Sequence, residues 1–183
     1  METNQYCQQV LQEINNVLQQ VDHTECEVLL QALRSASRIY LTGMGRGGLS
    51  VKAFAMRLMH LGFEAFVVGE TNTPRLRSGD LLLIASCSGE TGTSVHLAHK
   101  ARQAGATLAL ITASPHSTLA GLTDVVVCLP AKNSGESEPV TRQPMSSLFE
   151  QSLLLFGDAL VLQLMEACSV SEADMLSRHT NLE

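Results

Sequence analysis

The chain has 183 residues, of which 45% are hydrophobic and 16% are charged, and this balance is typical of a folded domain rather than of a disordered chain. The formal net charge of −6 argues against nucleic acid or an anionic membrane surface as the main partner. The five cysteines are scattered and odd in number, which favours reduced thiols in a cytoplasmic protein over a disulfide framework. Because the sequence begins with polar and acidic residues and has no uninterrupted apolar run of about 18 residues, we expect neither a signal peptide nor a transmembrane helix.

Positive charge is concentrated in one part of this acidic chain. Residues 34–77 contain seven arginine or lysine residues and only two glutamates. A locally positive region of this kind suits a small anionic ligand better than a polyanion. The partner that the charge pattern indicates is therefore a small, negatively charged molecule.

Two predicted helices precede the first predicted strand. Residues 5–20 repeat apolar side chains at helical spacing, and a second helix begins near Thr24, which we expect to be its N-cap. Residues 1–36 are more than a minimal α/β unit needs. We expect these N-terminal helices to pack either on their own domain or on a neighbouring subunit.

An alternation of apolar strands and helices follows, and it predicts an α/β fold. The predicted strands lie at residues 38–42, 65–68, 81–85, 107–112 and 124–129. Because strands this uniformly apolar are buried on both faces, we expect a five-stranded parallel sheet of flavodoxin-like, doubly wound topology with helices on both faces. This domain covers residues 37–168, with a polar loop at 131–143 before a long helix at 145–168. A short helix from Ser171 and a tail form residues 169–183.

The most informative stretch is the loop at residues 85–93, which reads Ala-Ser-Cys-Ser-Gly-Glu-Thr-Gly-Thr. It follows a predicted strand and leads into a helix, so it places free backbone N–H groups at a helix N-terminus, which carries partial positive charge. Four hydroxyl groups add hydrogen-bonding capacity, and two glycines allow a ligand to approach the backbone. This pattern predicts a phosphate cradle, although an ordinary strand-to-helix loop with a Ser or Thr cap contains the same residue types.

A second glycine-rich loop, at residues 43–48, follows the first predicted strand. Gly43, Gly45 and Gly48 match the G-x-G-x-x-G fingerprint, and Glu70 near the end of the next strand completes a dinucleotide-binding pattern. Against that function, no part of the chain is long enough for a separate catalytic domain, and Arg46 inside the loop suits a sugar phosphate better. Both loops follow strand carboxyl ends, so we expect them to face one crevice.

Glu150 is the strongest candidate for acid–base chemistry. It shares a helical face with apolar residues, and partial burial disfavours the charged form of a carboxylate, which makes it a stronger base. The competing interpretation is structural, because Ser147-x-x-Glu150 has the spacing of a capping box. Judged on spacing alone, the cap is favoured.

Four other residues, three histidines and one cysteine, have side chains that take part in catalysis or metal binding in other proteins. His179 could be an acid or base near neutral pH, although a histidine on a frayed terminus is the commoner situation. His96 and His99 lie three residues apart on a predicted helix without a cysteine or carboxylate cluster, so no metal is expected. Cys87 lies in the predicted cradle, but a thiol without a histidine partner is weak evidence for a nucleophile.

These motifs resemble those of a known superfamily. The run Ser86-Cys87-Ser88-Gly89-Glu90-Thr91 is similar to the phosphosugar-binding loop of sugar isomerase (SIS) domains. Within that superfamily, the chain from about residue 38 onward resembles the 6-phospho-3-hexuloisomerases. The segments that carry this likeness are residues 43–46 (GMGR), 53–58 (AFAMRL), 68–71 (VGET), 144–145 (PM), 147–150 (SLFE) and 179–183 (HTNLE).

The resemblance implies an isomerase that interconverts 3-hexulose 6-phosphate and fructose 6-phosphate without a metal or an organic cofactor. Glu150 would be the base that moves a proton between C2 and C3 through a cis-enediol. His179 would assist ring opening or the O2/O3 proton movement, reaching the site of a neighbouring subunit in a homotetramer or a dimer. The binding residues implied are Ser86, Cys87, Ser88, Gly89, Glu90 and Thr91 for the phosphate and Gly45, Arg46 and Gly47 beside the sugar.

Two residues depart from the family pattern. Gly47 stands where a serine usually follows the loop arginine, so one hydroxyl toward the sugar is missing, and Cys87 stands where Gly or Gln is more usual. Two alternatives therefore stay open: another phosphosugar isomerase, such as one acting on arabinose 5-phosphate, and a non-catalytic phosphosugar-binding module that regulates a partner. A DNA-binding sensor is disfavoured, because the N-terminal helices are acidic and rich in glutamine.

Overall fold

The computed structural model describes residues 2–131 and 141–182, which contain one five-stranded, all-parallel sheet. The strands are β1 (Ile39–Gly43), β2 (Ala65–Val67), β3 (Leu81–Ala85), β4 (Thr107–Thr112) and β5 (Val125–Cys128). Their order in the sheet is β2-β1-β3-β4-β5. The chain therefore runs outward from β1 to β2, returns to β3 and continues in the other direction, which is the predicted doubly wound topology. The switch point lies between β1 and β3.

Helices cover both faces of this sheet, as predicted. Within the described residues they are α1 (Thr3–Leu18), α2 (His23–Ser35), α3 (Gly45–Leu61), α4 (Gly92–Gln103), α5 (Thr118–Leu122), α6 (Ser147–Cys168) and α7 (Glu172–Ser177). Leu41 and Leu83 join the core beneath α1, α2, α3 and α6, whereas Tyr40 and Leu82 join a second core beneath α4 and α5. The side chains of successive strand residues thus point to opposite faces of the sheet, as expected for the two-residue repeat of a β-strand.

The two N-terminal helices pack on their own domain. Leu29 and Leu33 of α2 are fully buried, and Ile14 and Val17 of α1 belong to the same core as α6. Burial of each such side chain contributes roughly 2 kcal/mol. The predicted cap at Thr24 is wrong, because the Asp22 carboxylate accepts hydrogen bonds from the first-turn N–H groups and the N-cap lies two residues earlier than predicted.

Helices α3 and α6 lie side by side with their N-terminal ends together. A Cβ atom at Gly157 of α6 would come within 3.4 Å of the Phe54 ring on α3, so the missing side chain allows close packing. Nearer the N-termini, the Ser50 hydroxyl on α3 donates a hydrogen bond of 3.0 Å to the Glu150 carbonyl oxygen on α6. This packing fixes Glu150 relative to the loop after β1.

The sequence of α6 is strongly apolar because much of this helix is buried in the core. Among the described helices, it is the one that is long and apolar enough to cross a bilayer. About half of its most apolar 18-residue stretch is buried inside the domain. Leu153, Phe156, Leu160 and Leu164 all lie in the core beneath the sheet. The polar loop predicted at 131–143 lies mostly outside the described residues.

Candidate active site

Three helix N-termini border one cavity at the switch point. Gly43 and Ala85 are paired at the ends of β1 and β3, so the chain enters α3 and α4 from adjacent positions. The N-cap residues Met44 of α3, Thr91 of α4 and Ser146 of α6 all line the cavity, and none of these three side chains makes a capping hydrogen bond. Polarised N–H groups of three helices therefore face the same space, which favours an anion.

The loop after β3 is held in a fixed shape by its own hydroxyl groups. The Ser86 Oγ accepts a hydrogen bond from the Gly89 N–H at 3.1 Å and lies 3.4 Å from the Thr91 Oγ1. The Ser88 Oγ accepts from the Glu90 N–H at 3.2 Å. The loop is thus preorganised before a ligand arrives, and the Thr91 hydroxyl is directed into the loop rather than used to cap α4.

Gly89 is required by the geometry of this loop. Its φ of +67° lies in the left-handed region, and a Cβ atom there would collide with the Oγ and Cβ atoms of Ser117. By contrast, a Cβ atom at Gly92 meets no heavy atom within 4 Å. The two glycines of the predicted cradle therefore have different roles.

The cavity has a volume of about 450 Å³ and brings together most of the residues predicted to bind substrate. The predicted binding residues that line it are Gly47, Ser86, Cys87, Ser88 and Thr91, and the predicted base, Glu150, lines it as well. Its size suits a phosphorylated sugar. A larger groove of about 960 Å³ between α2 and α6 contains none of the predicted site residues.

Glu150 faces this cavity and does not cap its helix. The N-cap of α6 is Ser146, which places Glu150 at the fourth helical position, so the predicted capping box with Ser147 is wrong. The Glu150 Oε2 instead accepts a hydrogen bond of 3.0 Å from the Arg46 Nη1. Only 18% of the Glu150 side chain is exposed, against 53% of Arg46. A sheltered carboxylate with one cationic partner is what a positioned base requires.

The structure places several other candidate residues away from the cavity lining. The Glu90 carboxylate accepts a hydrogen bond from the Thr118 N–H at the start of α5. Gly45 adopts a φ of +57° at the turn into α3. Glu70, the acidic residue of the dinucleotide pattern, forms an ion pair of 2.6 Å with Lys52 and does not reach the cavity.

His179 lies at the opposite end of α3 from Arg46. Its ring stacks on that of His60, with centroids 5.2 Å apart and an interplanar angle of 21°. His60 and Arg46 are separated by fourteen residues of α3, or about 21 Å at the helical rise of 1.5 Å per residue. Within one chain, His179 and Glu150 therefore do not meet.

Two arginines, Arg57 and Arg178, lie beside the histidine pair. Burial lowers the pKa of His60, and the neighbouring Arg57 and His179 lower it further. The Arg57 guanidinium donates to the His60 Nδ1 at 3.3 Å, which requires a neutral ring with a free lone pair at that nitrogen. Arg178 donates to the His60 carbonyl oxygen at 3.0 Å.

Sequence reasoning missed several polar residues of the cavity wall, among them Thr141 and Gln143. These two precede α6, inside a stretch predicted only as a polar loop. The available signal was their position, since Pro144 and the start of the Glu150 helix follow immediately. Side chains placed just before a helix that carries a candidate base are themselves candidates for the site.

The parallel sheet, the preorganised loop and the convergent helix N-termini define an α/β domain with a candidate anion site at its switch point. A model of the SIS domain matches residues 32–158, and the chain belongs to that family. The resemblance seen in the cradle motif is thereby confirmed.

Relatives extend the likeness over the whole chain. The 3-hexulose-6-phosphate isomerase of Bacillus subtilis is 41% identical over 185 residues and covers 100% of both chains. The Mycobacterium gastri protein of the same name is 39% identical over 175 residues, covering 95% of this chain and 88% of its own. A crystal structure from Methanococcus jannaschii, for which a molecular function of 3-hexulose-6-phosphate isomerase was inferred, superposes with a TM-score of 0.86 at 30% identity, covering 98% and 99% of the two chains.

Proposed function

We propose that this protein is a cytoplasmic 3-hexulose-6-phosphate isomerase, which interconverts 3-hexulose 6-phosphate and fructose 6-phosphate. The observation that carries the proposal is the sharing of one cavity by a sheltered carboxylate, Glu150, and a hydroxyl-rich loop at the N-terminus of α4. The named relatives, 39% and 41% identical over nearly their full lengths, support the same substrate.

The phosphate of the substrate binds in the loop after β3. Ser86, Ser88 and Thr91 supply hydroxyl groups, and the N–H groups at the start of α4 supply further donors. Because the loop already holds its shape through internal hydrogen bonds, little entropy is lost when the phosphate binds. Fixing the phosphate places the sugar carbons toward α6.

Glu150 then transfers the proton. In the direction of fructose 6-phosphate, the Glu150 carboxylate first removes the proton from C2, and the C2–C3 enediol forms as the C3 carbonyl oxygen gains a proton. In the second step, C3 receives a proton as the C2 carbonyl is made. Arg46 holds the carboxylate in place, and its remaining N–H groups are donors for the substrate oxygens on which negative charge develops.

The proton movement between O2 and O3 uses His179 of a second copy of the chain. Within one chain, this histidine stacks on His60, which is about 21 Å along α3 from Arg46, so His179 reaches a site only across a subunit contact. Large apolar side chains exposed on α3 and α6, among them Leu49, Met56 and Leu162, provide surface for such a contact. The active unit is then a dimer or a tetramer.

A coupled assay of the purified protein tests the function. Ribulose 5-phosphate, formaldehyde and a separate hexulose-phosphate synthase generate the substrate, and fructose 6-phosphate is detected downstream. We expect product formation that depends on this protein. Arabinose 5-phosphate is assayed in parallel, because Gly47 leaves room for a different sugar. Activity on arabinose 5-phosphate alone would replace the proposed substrate, and thermal stabilisation by sugar phosphates without any turnover would indicate a binding module.

A further inference from the structure

One carboxylate of the N-terminal helix α1 holds the segment that forms part of the cavity wall. The Glu13 Oε2 accepts hydrogen bonds from the Thr141 Oγ1 at 2.5 Å and the Gln143 Nε2 at 2.8 Å. The Glu13 Oε1 accepts from the Arg142 N–H at 3.5 Å and from the Gln9 Nε2 at 2.9 Å. Four donors thus converge on one side chain, three of them from residues about 130 positions further along the sequence.

Two of those donors belong to residues that line the cavity with Glu150. Thr141 and Gln143 are both cavity residues and both half-buried, and they lead directly into α6. Their side chains therefore connect the cavity to a helix that has no residue in the cavity itself. The N-terminal helix is linked to the site through Glu13.

The charge of Glu13 makes this link strong. Burial alone would raise the pKa of Glu13, but the hydrogen bonds from Thr141, Gln143, Gln9 and the Arg142 backbone together lower it below its ordinary value. The carboxylate is thus ionised at neutral pH, and hydrogen bonds to an ionised acceptor are about twice as strong as those between neutral groups.

The carboxylate also orients the Gln143 amide. An ionised carboxylate only accepts hydrogen bonds, so the NH₂ end of the amide must face Glu13. The carbonyl oxygen Oε1 is left as the acceptor at the other end of the amide. A neutral partner at position 13 would not impose this orientation, since a glutamine could meet either end.

We propose that Glu13 is a positioning residue, which fixes Thr141 and Gln143 so that the wall of the cavity next to Glu150 accepts the sugar hydroxyls of the substrate. This inference rests on the proposed function for the identity of the substrate. The cradle after β3 is shaped by hydrogen bonds within its own loop, so we expect the phosphate end of the ligand to be held independently of Glu13. Loss of the Glu13 charge then affects the sugar end alone.

Glu13→Gln tests the proposal, because it removes the charge at nearly constant shape. We expect KM for 3-hexulose 6-phosphate to rise roughly tenfold with kcat changed by less than about twofold, since binding rather than proton transfer is impaired. Calorimetric titration with inorganic phosphate should give wild-type affinity, while titration with fructose 6-phosphate should show the loss. Thr141→Val and Gln143→Ala should each raise KM, and Glu13→Gln combined with Gln143→Ala should cost less than the sum of the single changes.

Hydrogen–deuterium exchange separates this proposal from the proposed function. In Glu13→Gln, peptides covering residues 141–148 should exchange faster, and in the control Gln12→Ala, on the exposed side of α1, they should not. Unchanged exchange, or a KM equal to that of the control, would overturn the positioning role. A wild-type protein without isomerase activity would overturn the proposed function instead, and the exchange data would still decide whether Glu13 holds the segment.

Discussion

The acid–base chemistry proposed for Glu150 depends on which position of α6 carries the carboxylate. A glutamate at the third helical position turns back to the N-cap, as in a capping box. Glu150 is at the fourth position, because Ser146 is the N-cap, and one residue turns a side chain by about 100° around the helix axis. That rotation brings the carboxylate to Arg46 and into the cavity.

Glu150→Gln tests this role directly. The amide keeps the shape and an acceptor for Arg46 but cannot remove a proton from carbon, so we expect kcat to fall by roughly 10³. Affinity for fructose 6-phosphate, measured by calorimetry, should stay within about threefold because the phosphate contacts are intact. Glu166→Gln, an exposed change on the same helix, is the matched control. Full activity in Glu150→Gln would remove this residue from the mechanism.

Gly47 offers a second test at the scale of one residue. A Cβ atom at this position meets no heavy atom within 4 Å, and the residue lines the cavity, so a serine fits without displacing a neighbour. We expect Gly47→Ser to lower KM for 3-hexulose 6-phosphate by about threefold to tenfold through one added hydrogen bond to the sugar. Gly121→Ser, in an equally open position on α5, should leave KM unchanged. An unchanged KM in both variants would mean that the sugar does not contact position 47.

At the scale of elements, the anion site is the product of helix ends rather than of one motif. The ends of β1 and β3 feed α3 and α4 at the switch point, and packing of α6 against α3 adds a third N-terminus. Each N-terminus favours an anion by roughly 0.3–1 kcal/mol. The hydroxyl groups of the loop after β3 would convert this general preference into the proposed phosphate site.

Gly89→Ala should damage the cradle, whereas Gly92→Ala should not. The added methyl group at Gly89 both collides with Ser117 and forces alanine into a left-handed conformation, which costs on the order of 1–3 kcal/mol. We expect the loop to shift, with loss of inorganic phosphate binding by calorimetry and a lower Tm. Gly92→Ala, in open space at the first position of α4, should preserve both. Equal phosphate affinity in the two variants would show that the loop does not need its observed shape.

The elements themselves could be predicted because their signals are local. The apolar runs of β3 and β4 begin and end at the predicted residues, and the alternation of strands and helices is enough to indicate a parallel sheet. The capping error at Glu150 arose because two serines, Ser146 and Ser147, precede it and spacing alone does not decide which of them is the N-cap. The hydrogen bonds of Thr141 and Gln143 to Glu13 could not be predicted, because a contact between residues about 130 positions apart leaves no sequence pattern.

At the scale of the whole molecule, the two ends of α3 separate the two proposed catalytic side chains. Arg46 and Glu150 lie at its N-terminal end, while His60 and His179 lie at its C-terminal end. An assembly that places the C-terminal end of one α3 near the cavity of another copy would unite them. Each complete site then contains residues of two chains.

Mixing two inactive variants tests this arrangement. Glu150→Gln and His179→Asn should each lose activity, and co-refolding them in equal amounts should restore about a quarter of the wild-type activity, because half of the contacts are mixed and each mixed contact has one intact site. Light scattering should show a dimer or a tetramer. A fully active His179→Asn variant, or no recovery in verified mixed oligomers, would contradict the shared site.

The histidine pair also makes the stability of the fold depend on pH. Burial and the nearby positive charges of Arg57 and His179 lower the pKa of His60 below its ordinary value of 6.5, so the folded chain resists taking up a proton that the unfolded chain accepts. The contribution of His60 to the free energy of unfolding is therefore fully present above about pH 6.5, and it is lost as the pH falls toward the lower pKa of His60 in the folded state. The lowered carboxyl pKa values of Glu13, Asp22 and Asp174 act in the same direction but at lower pH, below their ordinary values of 3.8 to 4.5.

Urea unfolding of the wild type and of His60→Phe at pH 7.5 and pH 5.5 measures how much of the pH dependence of stability is due to His60. Phenylalanine keeps an aromatic ring against His179 but cannot be protonated, and between these two pH values the carboxylates remain largely ionised. We expect the urea midpoint of the wild type to fall at pH 5.5 and that of His60→Phe to change much less. A decrease of the same size in both proteins would assign the pH dependence to other groups, and an increase in the wild type would mean that the protonated His60 is stabilised in the folded chain.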